Sequence, residues 1–284
     1  MMNLADAYKD GKIDRFEMMR FAEVLSDLNN RRRYSSLKEI EIKDGDFVFH
    51  KISYIKKKEV LFYFSLFLTA LYAITDQRMT SIFFNHYLAC QNNTDFFKFL
   101  PKTRKKPFLV FCGGLSGSGK SRVAREIAWQ FPCPFSAIVI RDDIVRKQLT
   151  GVAFDVELDE TYYTNEMEKK VYKEMRRQAK QALNAGYPVI MDALFYDPKE
   201  RHLAEDLAKR MGLRSVGFWM EAPLKIRAKR VQERLNNPSD IKTKEALQKQ
   251  EKQDLGDISW HYIRTDGEKD ETIRKVMKVV KRYF

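Results

Sequence analysis

The chain has little cysteine, no internal repeat and no long uncharged run, and each absence removes a class of protein. Its three cysteines, Cys90, Cys112 and Cys133, are scattered, odd in number and without metal-ligand spacing. That argues against a disulfide framework or a cysteine-built metal site and suits a reducing compartment. The first residues, Met-Met-Asn-Leu-Ala-Asp, lack the basic-then-apolar order of a signal peptide, so the expected location is cytoplasmic. Residues 60–75 carry no charge between Glu59 and Asp76. That run falls short of the ~20 apolar residues a membrane span needs, so no span is expected and a buried helix is the better reading. Low-complexity tracts and repeats at solenoid periods are also missing.

What is present is a globular composition, 44% hydrophobic and 32% charged over 284 residues, enough to bury a substantial core. The net charge of +13 invites a polyanion reading. However, the excess is +6 over residues 1–106 and +7 over the remainder, so it is spread rather than striped. The runs Arg31-Arg32-Arg33, Lys56-Lys57-Lys58 and Arg104-Lys105-Lys106 suit solvated surface better than a nucleic-acid groove. Such a field would still steer anionic ligands inward.

One stretch carries most of the functional information. Residues 114–121, Gly-Leu-Ser-Gly-Ser-Gly-Lys-Ser, fill the pattern G-x-x-x-x-G-K-[ST]. Triphosphate oxygens need backbone N–H groups at the positive end of a helix, approached without a Cβ in the way. Gly113, Gly114, Gly117 and Gly119 are expected to supply positive φ and close approach. Leu115, Ser116, Ser118 and Arg122 complete the loop and its exit. Lys120 would reach the β- and γ-phosphates, and the Ser121 hydroxyl would hold Mg²⁺. An apolar, strand-like run precedes this loop and a helical pattern follows it, as a phosphate loop requires. ATP is the expected ligand, with GTP as the alternative.

Downstream, apolar strands alternate with helices. Strands are predicted at 108–112, 136–140, 188–192, 214–220 and 260–264. Helices are predicted at 119–131, 143–149, 160–185, 198–212, 223–236, 242–253 and 268–282. That alternation predicts an α/β fold with a parallel sheet covered on both faces and ligands beyond the strands' carboxyl ends. Residues 101–107 (PKTRKKP) mark the expected boundary between a mainly helical domain, 1–106, and the phosphate-loop domain, 107–284. Upstream, helices are expected at 15–28, 59–74 and 80–90, with 39–55 extended.

Three further signals lie at strand ends. Asp142 and Asp143 follow the second strand, where an acid would deprotonate a nucleophilic hydroxyl. Asp142 is read as the helix cap, Asp143 as the base, and Arg146, one turn on, as a clamp on the acceptor substrate. Asp192 closes an apolar strand, as a magnesium-ordering acid should. Arg230 and Arg234 sit one turn apart on a helix whose basic face could close over the transferring phosphoryl group. The alternative for this helix is a solvated basic face shared with Arg227 and Lys229. Thr265-Asp266-Gly267 reads as a turn near the nucleotide base.

The pieces GLSGSGKS, RDDIVRKQLTG, VIMDALFYDPKERHLAEDLAKRMG and APLKIRAKRVQER, in that order, resemble the small P-loop kinases grouped with zeta toxins, chloramphenicol phosphotransferase and polynucleotide 5′-hydroxyl kinase. The resemblance spans Phe108 to about Val280 and implies transfer of the γ-phosphate to a hydroxyl. It implies Asp143 as base with Arg146 beside it, and Arg230 and Arg234 as lid arginines. A hydroxyl-bearing small molecule is the favoured acceptor; a nucleic-acid 5′ end, a zeta-toxin-like effector role and slow ATP hydrolysis by a binding module are the alternatives. Upstream, Lys43-Asp44-Gly45-Asp46-Phe47 and the apolar helices resemble the helical lobe of aminoglycoside phosphotransferases. Lys51 stands where that family's metal-binding Asn belongs, which implies a degenerate remnant. Asp6, Asp10, Asp14 and Glu17 mimic part of a calcium loop, but Tyr8 occupies a ligand position.

Overall fold

The computed structural model describes residues 37–43, 46–51, 81, 84–85, 106–131, 133, 136–152, 156, 158–233 and 244–283. The chain divides into two compact units, one of residues 1–101 with 134–136 and the other of residues 102–133 with 137–284. In the first, strands β1 (Leu37–Lys43) and β2 (Asp46–Lys51) pair antiparallel, Lys43 opposite Asp46, as a hairpin. Of the segment expected to be extended, 39–55, the described residues are strand, and 44–45 and 52–55 lie outside the described residues. Of the Lys43–Phe47 motif, read as a catalytic loop, Lys43 ends β1 and Asp46 and Phe47 start β2, while Asp44 and Gly45 lie outside the described residues. The helices expected at 15–28 and 59–74, the calcium-like loop and Cys90 lie outside the described residues.

The second unit is a five-stranded sheet in the order β4-β5-β3-β6-β7, with every neighbouring pair parallel. Its strands are β3 (Leu109–Gly113), β4 (Ile138–Arg141), β5 (Val189–Asp192), β6 (Ser215–Glu221) and β7 (His261–Arg264). Connecting them are α1 (Lys120–Ala128), α2 (Asp142–Thr150), α3 (Asn165–Asn184), α4 (Pro198–Arg210), α5 (Leu224–Gln232), α6 (Lys244–Glu251) and α7 (Lys269–Val280). This is the expected α/β P-loop architecture. α3 starts at Asn165, five residues later than read, because Thr164 caps it and a 3₁₀ turn occupies Glu160–Tyr162. Gly186, at φ +90°, follows the C-cap as a stop residue should.

β3 is buried along its whole length, as a central parallel strand must be. On one face Val110 and Cys112 pack with Val123 and Ile127 of α1 and Val276 and Val280 of α7. Phe111 points the other way and stacks on Trp260, 5.4 Å between ring centroids, with Phe195 edge-on to both. The indole claims space that only glycine leaves open: a Cβ on Gly217 would sit 2.3 Å from its ring, and one on Gly113 2.8 Å away. Gly113 therefore serves close packing. Its φ is not among the positive ones, contrary to the sequence expectation.

Candidate functional site

The loop from Gly114 to Gly119 leaves β3 and enters α1. Gly114, Gly117 and Gly119 have φ of +142°, +81° and +93°, and Gly119 is the left-handed N-cap of α1. Side chains would not fit at two of these positions. A Cβ on Gly114 would lie 2.4 Å from the Met220 carbonyl oxygen, and one on Gly117 2.6 Å from that of Arg227. The first amides of α1, those of Lys120, Ser121 and Arg122, have no acceptor within the helix. They supply the positive helix end that an anion needs.

The outer side of the same loop is tied down by side chains from distant segments. Arg227 Nη1 donates to the Ser116 carbonyl at 3.2 Å, Arg230 Nη1 to the Gly117 carbonyl at 3.3 Å, and Thr265 Oγ1 to the Ser118 carbonyl at 2.5 Å. Three consecutive carbonyls are thus held on one side, which fixes the peptide planes. Gln250 of α6 grips Ser116 twice, accepting from its amide at 3.0 Å and donating to its hydroxyl at 3.1 Å. Arg227 also pairs with Glu251 of α6. Arg227 is only 1% exposed, so the alternative of a solvated basic face does not hold for it. Thr265 is fully buried beneath the loop, while Gly267 of the same turn lines the cleft over that loop.

A cleft of about 480 Å³ opens over this loop at the carboxyl ends of the strands. Of the sequence-predicted residues, Ser116, Gly117, Gly119, Lys120, Ser121, Arg122, Asp143, Arg146 and Arg230 line it. Gly114, Leu115, Ser118 and Asp192 are not among its lining, and the Ser116 amide is engaged by Gln250. Arg230 donates to Thr265 as well as to Gly117, so it is anchored to the loop rather than standing free on a lid. Arg234 lies outside the described residues.

The acids converge because β4 and β5 are neighbours, Arg141 opposite Asp192. Arg141 is the N-cap of α2, and both aspartates sit in the first turn, so Asp142 is not the cap residue. Asp142 accepts instead from the Asp143 amide at 2.8 Å and the Leu194 amide at 3.1 Å. Burial, then the neighbouring Asp143, pushes its carboxyl up to about 6. Asp143 is held by Arg141 Nη2 at 2.6 Å and by the Ile144 amide at 2.8 Å. Burial works against the Arg141 charge, but Asp143, Asp192 and Asp142 hold that guanidinium above its ordinary range. Asp192 ends β5 opposite Cys112, 1% exposed, with Arg141 Nε 3.6 Å away. Burial raises its carboxyl against the pull of Lys120 and Arg141, and neither oxygen completes a regular hydrogen bond.

On the far side, Arg146 is 5% exposed, donates to the Tyr162 carbonyl at 3.2 Å and lies 4.8 Å over the Tyr163 ring. Its Nε is buried without a partner. Glu168, from the first turn of α3, lines the cleft beside it, its carboxyl raised by burial and opposed by Arg146 and Tyr196. Phe195 supports this corner in a left-handed conformation, φ +52°, with its amide donating to the Tyr172 hydroxyl and its carbonyl accepting from Arg201. Sequence reasoning missed Glu168, Leu194, Gln250 and the buttress formed by Arg227 and Thr265. Only the position of Glu168 in a helix first turn was legible; the others are set by contacts more than fifty residues apart in sequence.

The chain is 31% identical over 169 residues to uncharacterized proteins of Mycobacterium tuberculosis and Mycobacterium bovis. The match covers 58% of this chain and 33% of theirs, so the chain spans about a third of the length of these relatives. Among solved structures it is similar to the Mycobacterium tuberculosis APS kinase CysC in complex with AMPPNP and APS. That likeness has a TM-score of 0.47 and 20% identity, covering 62% of this chain and 98% of the other. It is also similar to a gluconokinase from Sinorhizobium meliloti 1021, with a TM-score of 0.45 and 17% identity, covering 63% and 94%. A third is Chaetomium thermophilum Kti12 in complex with ADP-AlF3, with a TM-score of 0.45 and 20% identity, covering 62% and 98%. The family model described as an AAA domain matches residues 109–254, half of the chain, with the phosphate loop and both acidic strand ends inside the match; the chain belongs to that family.

Proposed function

We propose that residues 107–284 form an ATP-dependent kinase that moves the γ-phosphate to a hydroxyl of a small molecule. One observation carries this reading: the phosphate loop, the aspartate pair and a buried arginine share a single cleft. A pure hydrolase needs no such second half. The order of the four sequence pieces supports grouping it with the zeta-toxin-like kinases, and residues 1–106 are assigned as a separate, catalytically degenerate domain.

The residues fit a magnesium ion. Asp192 offers two buried oxygens without hydrogen bonds, and it lies close enough to the Ser121 hydroxyl to be influenced by it. Hard oxygen donors of this kind, completed by phosphates and water, suit that cation. Bound there, magnesium would neutralise charge on the β- and γ-phosphates.

The chain's own residues divide the remaining work. The α1 amides and Lys120 hold the triphosphate. Asp143 takes the proton from the acceptor hydroxyl while that oxygen bonds the γ-phosphorus and the bond to the β-phosphate oxygen breaks, releasing ADP. Arg141 and the Ile144 amide hold the Asp143 carboxylate in place, and its remaining lone pairs stay open for that proton. Arg146 positions the acceptor. Arg230 supports transfer indirectly, by keeping Gly117 in place.

The test is incubation with γ-labelled ATP and pooled metabolites. Label should leave ATP for an organic acceptor, and Lys120→Ala should reduce that transfer by about 10²–10³-fold or more, since it removes a preorganised phosphate contact. Label found solely as inorganic phosphate would replace the kinase reading with slow hydrolysis by a binding module.

A further inference from the structure

The cleft is electrically divided. Around the Arg230 end, Arg122, Arg125, Arg230 and Lys269 line it against the one carboxylate Glu233. Arg122 and Arg230 are close enough for each charge to oppose the other, and two nitrogens of Arg122 are buried without a partner. That half suits a polyanionic nucleotide. Around Arg146 the balance reverses. Asp142, Asp143 and Glu168 line that half and Arg146 faces them; Lys120 of the phosphate loop also acts on Asp142, and Arg141 behind them is committed to Asp143 and Asp192. The Arg146 charge acts on both Asp142 and Glu168, so it is already opposed before any acceptor arrives. Asp197 and Glu200 also act on Glu168, Glu200 being itself paired with Arg176.

We infer that the acceptor is an uncharged or cationic polyol, bound through hydroxyls that donate to Asp142 and Glu168 and accept from the Arg146 guanidinium. This rests on the kinase reading above and deepens it. A carboxylate or phosphate on the acceptor would be brought against at least two carboxylates in a partly desolvated cleft, a repulsive element that discriminates between otherwise similar polyols. Carboxylates accept from several hydroxyls at once, and a guanidinium N–H donates to a hydroxyl or ether oxygen without needing an anion. Tyr163, with Arg146 under its ring and itself 40% exposed, adds an aromatic surface at the same end. The overall charge of +13 would draw nucleic acid to the protein, but the local field at this end turns its 5′ terminus away.

The experiment separates acceptors by charge before the reaction. A metabolite extract is passed over ion exchangers to give cationic, neutral and anionic pools, and each is incubated with the full chain and γ-labelled ATP beside a 5′-hydroxyl oligonucleotide. Label is expected in the neutral or cationic pool. Label confined to the anionic pool or the oligonucleotide overturns the inference and leaves the kinase reading intact; label in no organic pool removes both. With an acceptor in hand, Glu168→Gln should raise its KM about tenfold while leaving the KM for ATP within about twofold, the loss expected for a hydrogen bond to a charged group. An unchanged acceptor KM would overturn the assignment of Glu168.

Discussion

The two sides of the phosphate loop are built by different means. Its inner side, which faces the cleft, consists of amides and residues contiguous in sequence: Gly117, Gly119, Lys120, Ser121 and Arg122. Its outer side consists of carbonyls held by Arg227, Arg230 and Thr265, drawn from segments more than 100 residues away. Inner groups can meet a ligand only if the outer ones hold the peptide planes still. The inner side should therefore govern chemistry and the outer side stability, with ligand affinity depending on both.

Arg227→Ala is the strongest way to break that division. The guanidinium is buried, so its removal leaves the Ser116 carbonyl without its partner and opens a gap in the packing, while Glu251, 46% exposed, turns to water. A loss of about 3 kcal/mol of folding stability is expected, from the orphaned carbonyl and the lost packing of the buried side chain, with the solvated ion pair adding little. Urea unfolding would measure it. Lys120→Ala, an inner change at a partly exposed site, removes a cation that acts on Asp142 and Asp192 and should cost no more than about 1 kcal/mol. If Arg227→Ala kept full stability and lost only transfer, Arg227 would belong to the chemistry and the division would be wrong.

Gly117→Ala tests the boundary between the two sides. Its φ of +81° penalises a side chain by about 1 kcal/mol, and the new Cβ would press on the Arg227 backbone at 2.6 Å. Gly151 gives the control: its φ is +71°, yet nothing lies within 4 Å of a Cβ placed there. Gly151→Ala should cost about 1 kcal/mol by strain alone. Gly117→Ala should cost about 2–3 kcal/mol in total, because overpacking is added, and should weaken nucleotide binding in calorimetry. Equal costs at the two glycines would mean that the loop yields without resistance.

That contrast also explains what the sequence made legible. The sheet and its helices were readable because apolar runs broken by helical periods leave few alternatives. The inner loop was readable because its chemistry is local: eight adjacent residues carry the glycines, the lysine and the hydroxyl. The outer side has no local signature. Arg227 sits among Lys225, Lys229 and Arg230, a pattern that periodicity assigns to solvent, and only docking of α6 shows that it is buried. Thr265 looks like an ordinary turn until β7 is set beside β6 and its hydroxyl is brought under Ser118. Asp142 and Asp143 were readable as a pair. Their division of partners was not, since it depends on the Leu194 amide fifty-two positions away.

The smallest expected effect sharpens the inner side. An ordinary aspartate titrates near 3.8, whereas Asp142 is pushed up to about 6 by burial and by Asp143. Between those values the folded state binds more protons than the unfolded chain, so stability falls as pH rises through that window. Asp142→Asn removes this dependence. Relative to the variant, the wild type should lose about 1–2 kcal/mol between pH 4 and pH 6.5, less than full burial would give because the carboxyl also borders the open cleft. Unfolding of the nucleotide-free protein across that range measures it directly. Parallel curves would show that Asp142 pays no charge penalty and that the inner side is wetter than its geometry implies. A wild-type curve that falls relative to the variant's as pH rises would show that this half of the cleft holds its negative charge under tension before any ligand arrives.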